Sequence, residues 1–83
     1  MDYFVYFLQS EKNGDIYVGS TSDIAKRIAR HNAGGVKSTK GYRPWILLKY
    51  LTFASRSEAM KAELFHKTGQ QKEMLRKEFG VAE

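Results

Sequence analysis

Near the start of the chain, apolar and polar residues alternate in a way that predicts two strands, Tyr3 to Gln9 and Asp15 to Ser20, around an Asn13-Gly14 turn pair. The first is apolar on both sides, with Val5 and Phe7 opposing Phe4, Tyr6 and Leu8, as expected for a central strand covered on two faces. If Asn13-Gly14 forms the centre of a type I′ turn, Lys12 pairs with Asp15, Leu8 falls opposite Gly19 and Ser10 opposite Tyr17. Side chains alternate along each strand, so Phe4, Tyr6 and Leu8 then share a face with Tyr17 and Gly19, and the two phenols look out of one surface. A slip of one residue would reverse every side chain. Taken alone, the two rings are more simply read as ordinary strand aromatics. Gly19 leaves room for a phosphate or another segment to approach the backbone beside Tyr17.

After Ser20-Thr21-Ser22, good N-cap types, Asp23 complements the dipole of a helix that reaches about Asn32 and ends at Ala33-Gly34-Gly35. Ile24 and Ile28 form its buried stripe, and Arg27 and His31 share the adjacent flank at helical spacing. From Gly34 to Pro44 the chain is rich in glycine, hydroxyls and cations, which predicts a loop. Trp45 to Phe53 reads as a third strand with large side chains on both faces. Ser55 and Glu58 match a capping box that starts a helix running to about Thr68, where Gly69 stops it. A last helix, Gln70 to Phe79, offers Met74, Leu75 and Phe79 for docking. The order is β-β-α-β-α-α, an α+β class with a three-stranded antiparallel sheet flanked by helices, read as one domain over residues 1–83.

Size limits the chemistry. A chain of 83 residues buries only about two-thirds of its unfolded surface, so an open groove suited to a polymer is expected in place of an enclosed cavity. The excess of 14 Lys and Arg over 9 Asp and Glu, net +5, favours a polyanionic partner, although a merely soluble basic domain has the same balance. Cysteine is absent, which excludes disulfides and thiolate metal sites. The N-terminus carries no leader pattern or long apolar run, so a cytoplasmic protein without membrane attachment is expected.

One carboxylate stands out in the second predicted helix. Ala59, Ala62, Glu63 and His66 share a flank, and the alanines allow close approach to the sheet, which could bring Glu63 into a groove beside the tyrosines. A solvated surface carboxylate is the simpler alternative. Glu58 is accounted for by the capping box. His31 and His66 sit on different helices without a third zinc ligand, whereas magnesium tolerates a single hard carboxylate beside a phosphate. Lys37, Lys40 and Arg43, with Tyr42 among them, make a basic aromatic loop that could grip a phosphate backbone, or could simply be solvated.

In their order these residues resemble the GIY-YIG nucleases of the small stand-alone type. Phe4-Val5-Tyr6 corresponds to the first family motif, of which it keeps the tyrosine, and Tyr17-Val18-Gly19 to the second. The segment Ser22 to Asn32 is similar to the family's arginine helix with its closing His-Asn pair. Thr39, Arg43-Pro44-Trp45, Ser57-Glu58-Ala59, Glu63 and Lys67 continue the likeness. The resemblance implies metal-dependent hydrolysis of a phosphodiester in DNA, in a structure-selective and repair-related setting. Tyr6 and Tyr17 would stand at the attacking water, Arg27 at the phosphate, and Glu63 would hold one Mg²⁺ or Mn²⁺ ion. His31 would orient Arg27 or contact phosphate, or be a solvated helix-end histidine. Arg30, Lys37, Lys40 and Arg43 would bind the nucleic acid.

In-line attack builds negative charge on the phosphoryl oxygens, which a cation and a guanidinium stabilise. A free tyrosine titrates near ~10, so it could act as a base at neutral pH only with that value lowered by nearby positive charge, or with the water acidified. Tyr17 could equally orient the water or a phosphate oxygen. The lost glycine of the first motif changes the packing beside Tyr6. No separate DNA-binding domain is evident, so weak, salt-dependent affinity with poor sequence specificity is expected, with a partner protein supplying targeting. The rival reading is a non-catalytic nucleic-acid-binding module of the same fold.

Overall fold

The computed structural model describes residues 1–79. Its first strand, β1 (Tyr3–Ser10), lies between β2 (Ile16–Thr21) and β3 (Trp45–Phe53) in an antiparallel sheet of order β2-β1-β3. The central position accounts for the apolar residues on both its sides: Val5, Tyr6, Phe7 and Leu8 are all fully buried. Three helices complete the fold, α1 (Ile24–Asn32), α2 (Arg56–His66) and α3 (Gly69–Glu78), with a single 3₁₀ turn at Lys40–Tyr42 before β3. The α+β order β-β-α-β-α-α is the one expected from the chain.

The two faces of the sheet carry separate cores. Val5, Phe7, Ile16 and Val18 pack with Ala59 of α2 and Leu75 of α3. On the opposite face, Tyr6, Leu8 and Trp45 are buried together, with Tyr17 and Ile28 of α1 against them. The alternation along β1 thus divides α1 from the α2–α3 pair.

The hairpin differs from the type I′ expectation. Ser10 bonds Asp15 across the strand ends through its backbone N–H (2.9 Å), and the partners are Tyr6 with Gly19 and Leu8 with Tyr17, a register displaced by two residues. Only Gly14 of the turn pair has positive φ (78°), whereas a type I′ turn needs it at Asn13 as well. The cause is a side chain that competes for the turn: Ser10 Oγ accepts from the backbone N–H groups of Lys12 (3.0 Å) and Asn13 (3.2 Å), and Asn13 Oδ1 accepts from Asp15 N (2.9 Å). A longer loop, Glu11 to Gly14, results. Because the shift is even, Tyr6 and Tyr17 remain on one face.

Two helix boundaries also differ. Asp23 is itself the N-cap of α1, accepting from Lys26 N through Oδ1 (3.1 Å), while Ser20 and Thr21 belong to β2. Gly69 does not stop α2, which ends at His66 with Lys67 as C-cap; it is the first residue of α3, whose N-cap is Thr68. No left-handed residue is needed there because the threonine redirects the chain. Ser55 is the N-cap of α2, its Oγ accepting from Glu58 N (3.2 Å), but the reciprocal half of the expected capping box differs, since Glu58 Oε1 accepts from Ser55 Oγ (3.2 Å) and not from its backbone N–H.

At the end of α1, the Asn32 side chain mimics a strand: its Oδ1 accepts from Trp45 N (2.7 Å) and its Nδ2 donates to Trp45 O (3.0 Å). The Trp45 indole donates to Thr39 O (2.9 Å), which ties the loop after α1 to the first residue of β3. Among the described residues no helix is long and apolar enough to cross a membrane.

Candidate active site

Tyr6 lies at the centre of the candidate site but is fully buried. Its hydroxyl accepts from Arg27 Nε (3.2 Å) and lies 2.9 Å from His31 Nε2, while His31 Nδ1 lies 2.8 Å from Thr39 Oγ1. Thr39 Oγ1 donates to Val36 O (3.3 Å), so it accepts from His31 Nδ1–H. Nε2 is then the acceptor, and the Tyr6 hydroxyl donates to it. This is the one tautomer in which every member of the chain Arg27, Tyr6, His31, Thr39, Val36 finds its partner. His31, the only fully buried residue of α1, is thus a structural member of the site and not a solvated helix end.

Burial governs the electrostatics. It raises the Tyr6 pKa, an effect that the Arg27 hydrogen bond opposes without reversing. It also lowers that of His31, with the Arg27 charge acting in the same direction, so the imidazole is neutral near pH 7. The sequence-based requirement for a basic phenol, a lowered pKa, is therefore not met at Tyr6. Its hydroxyl hydrogen is committed to His31 and its oxygen to Arg27, which makes it a mount for the guanidinium. The Arg27 pKa is raised, chiefly by the hydrogen bond to Tyr6 and against burial.

Gly19 makes this arrangement possible. It lies directly opposite Tyr6, and a Cβ there would fall 2.4 Å from the Tyr6 hydroxyl oxygen and 2.6 Å from Cζ. The phenol occupies the space that a side chain would fill.

Tyr17, half-buried on β2, stacks edge-on with His31 (centroids 4.9 Å apart), and its ring lies 6.3 Å from that of Tyr6. Being on an edge strand, it is also reached from the opposite face of the sheet: Lys67 Nζ lies 5.8 Å from its ring centroid. Glu63 arrives the same way. Its Oε1 accepts from Ser20 Oγ (2.6 Å) and its Oε2 from Lys67 Nζ (2.7 Å). Burial raises the Glu63 pKa, but the bonds from Lys67 and Ser20 and the Arg27 charge outweigh it, so the net shift is downward and the group is ionised at neutral pH.

Glu63 opens into a cleft of about 310 Å³ between β2 and α2, lined also by Ser20, Thr21, Ser22 and Arg56. Arg27 and Arg30 line a second cleft, of about 600 Å³, along α1 with Lys26. Thr21 and Ser22 line both, so the two clefts are neighbours at the edge of the sheet, and the Arg27 charge is close enough to help lower the Glu63 pKa. Lys40 and Arg43 lie elsewhere, in a basic pocket of about 400 Å³ with Lys12, and the Arg43 Nε donates to Lys40 O (2.8 Å). Lys37 is exposed and lines none of these three clefts. Tyr6, Tyr17, Arg27, His31 and Glu63 are therefore gathered together, Arg30 beside them, and the loop cations apart.

Sequence reasoning gave no role to Ser20, Asn32 or Lys12. Ser20 was hidden among cap-type hydroxyls, and Lys12 reaches the basic pocket only through the longer hairpin loop, where its Nζ donates to Gly41 O (3.1 Å). Among the described residues no group of three or more His, Cys, Asp or Glu is placed to hold a metal ion.

Comparison with known proteins agrees with this geometry. The family model for the GIY-YIG catalytic domain matches residues 2–77. A UPF0213 protein of Staphylococcus haemolyticus is 40% identical over 75 residues, covering 89% of this chain and 90% of its own. The solution NMR structure of a UPF0213 protein from Bacillus halodurans superposes with a TM-score of 0.56 at 37% identity, covering 90% of this chain and 82% of that one. A structure-specific endonuclease subunit, SLX1, of Scheffersomyces stipitis is 45% identical over a 69-residue alignment that covers 74% of this chain but 20% of that protein.

Proposed function

The chain belongs to the GIY-YIG nuclease family, and on that premise we propose that it is a divalent-metal-dependent endonuclease hydrolysing phosphodiester bonds in DNA. The observation that carries the reading is that Arg27, fixed from below by Tyr6, and the ionised carboxylate of Glu63 line adjoining clefts that meet at Thr21 and Ser22.

Arg27 binds the phosphoryl oxygens and neutralises the charge that develops on them. Its Nε is held by the buried phenol, so the rest of the guanidinium keeps a fixed direction without reorganising during reaction. Tyr17, at the exposed side of the aromatic cluster, orients the attacking water or a phosphate oxygen. Tyr6 and His31 act through Arg27. Glu63 fits a magnesium or manganese ion in charge and hardness, and a lone carboxylate leaves most of the ion's coordination to water and substrate oxygens. When bound, the ion supplies further positive charge at the phosphoryl group.

Selection of DNA by structure is supported by the likeness to a protein described as a structure-specific endonuclease subunit, and use in repair is proposed with it. The basic pocket of Lys12, Lys40 and Arg43 serves as a second phosphate contact, with targeting left to a partner protein. Plasmid nicking tests the reading. Wild-type protein with Mg²⁺ should nick, and EDTA, Tyr17→Phe, Arg27→Ala or Glu63→Ala should each lower the rate by about 10²-fold or more. Intact plasmid with every variant and wild type alike, alongside equal DNA retention in a gel shift, would instead identify a binding module.

A further inference from the structure

Both oxygens of Glu63 are occupied, by partners of different kinds. Ser20 offers a short neutral hydroxyl from a strand (2.6 Å), whereas Lys67 offers a full positive charge from a flexible stem at the C-cap of α2 (2.7 Å). The Lys67 side chain is 40% exposed against 20% for Glu63, so the ammonium is the more solvated partner of the pair. Of the residues lining the cleft between β2 and α2, Glu63 is the only carboxylate.

We propose that Lys67 is a resident cation for Glu63, holding Oε2 until a divalent ion takes its place, so that Lys67 sets the metal affinity of the site. This rests on the reading of Glu63 as a metal ligand. An ammonium at 2.7 Å and a divalent ion cannot share one oxygen without strong repulsion, so loading is an exchange. The exchange has a physical advantage, because a largely buried carboxylate with no counter-charge is costly to maintain, and here it is neutralised in both states. Lys67 keeps a partner when it leaves Oε2, because its ammonium already lies 5.8 Å from the Tyr17 ring centroid, within cation–π range. The i,i+4 spacing keeps it on the same side of α2, within reach to return. Lys67 is thus a positioning residue that keeps the site poised and lightly loaded.

The test is direct binding of Mn²⁺, followed by paramagnetic broadening of amide signals around Ser20 and Glu63 in isotope-labelled protein. Lys67→Met and Lys67→Gln should bind Mn²⁺ roughly fivefold more tightly than wild type, as expected when a half-exposed ion pair no longer competes. Lys67→Arg should retain the weak affinity. Glu63→Gln should abolish broadening at these amides in either background. Two substitutions are used so that a folding defect in one, seen in the same spectra, leaves the other to decide. Unchanged or weaker Mn²⁺ affinity in both, with broadening still dependent on Glu63, overturns the role of Lys67 and leaves the metal reading standing. Broadening that persists in Glu63→Gln, or is absent throughout, overturns both.

Discussion

Gly19→Ala tests the close approach on which the site is built. The added methyl carbon would stand 2.4 Å from the Tyr6 hydroxyl oxygen, 2.6 Å from Cζ and 3.0 Å from Cε1, where ordinary contact is 3.4–4 Å. The ring must therefore retreat by roughly 1 Å, and it has no free space, because Tyr6 is fully buried. A retreat of that size takes its bonds to His31 (2.9 Å) and Arg27 (3.2 Å) beyond hydrogen-bonding distance. Overpacking costs about 1–3 kcal/mol, and the two bonds are worth about 1 and 1.5 kcal/mol. Replacing glycine at a position without positive φ returns about 0.4–1 kcal/mol through the unfolded chain. The net loss is about 2.5–5 kcal/mol, or a fall in Tm on the order of 10–40 °C for a domain this small. Urea denaturation of wild type, Gly19→Ala, Tyr6→Phe and the double variant measures it. Both single variants lose the same two bonds, and removing the hydroxyl also relieves the shortest contact, so the double variant should be more stable than the sum of the single losses by about 2–3 kcal/mol. Wild-type stability in Gly19→Ala, or strict additivity in the cycle, would refute the reasoning.

Thr39→Val leaves the buried His31 Nδ1–H without an acceptor and should cost about 1–3 kcal/mol in the same assay; an unchanged urea midpoint would contradict the assigned tautomer. Stability should also fall with acid. The His31 and His66 pKa values are lowered by burial, with Arg27 and Lys49 contributing respectively, so the unfolded chain takes up protons at a pH where the folded one does not. The stability they contribute is complete above the ordinary histidine value of ~6.5 and is lost as pH falls through the lowered folded values. Midpoints measured from about pH 7.5 to 5.5 should therefore decrease, and the double variant His31→Gln, His66→Gln should flatten that slope.

Much of this site was legible because strand periodicity is robust to an even error. The two-residue change of register moved Gly19 from opposite Leu8 to opposite Tyr6, yet left both phenols on the expected face. The error itself came from the Ser10 hydroxyl, whose capture of two backbone N–H groups outweighed the Asn-Gly preference. Helix starts were readable where a side chain caps locally, as at Ser55. The orientation of α2 was not, since Met60, Leu64 and Phe65 remain exposed and its contact is made through the small Ala59. Glu63 could therefore be nominated from its flank, but its partners Ser20 and Lys67 depend on how the helix meets the sheet edge. The burial of His31 had no helical-spacing signal either, because it is set by Tyr6, 25 residues away, and by Thr39 in the loop after α1.

The clamp of Asn32 on Trp45 has a consequence for how copies of this chain meet. A strand at the margin of a sheet offers unpaired peptide groups to any passing strand, and such margins are where chains aggregate. The amide of Asn32 fills both peptide positions of Trp45, so β3 enters the sheet with the peptide groups of its first residue already paired. A single side chain closing a helix thereby also discourages ribbon-like association at that end of the molecule.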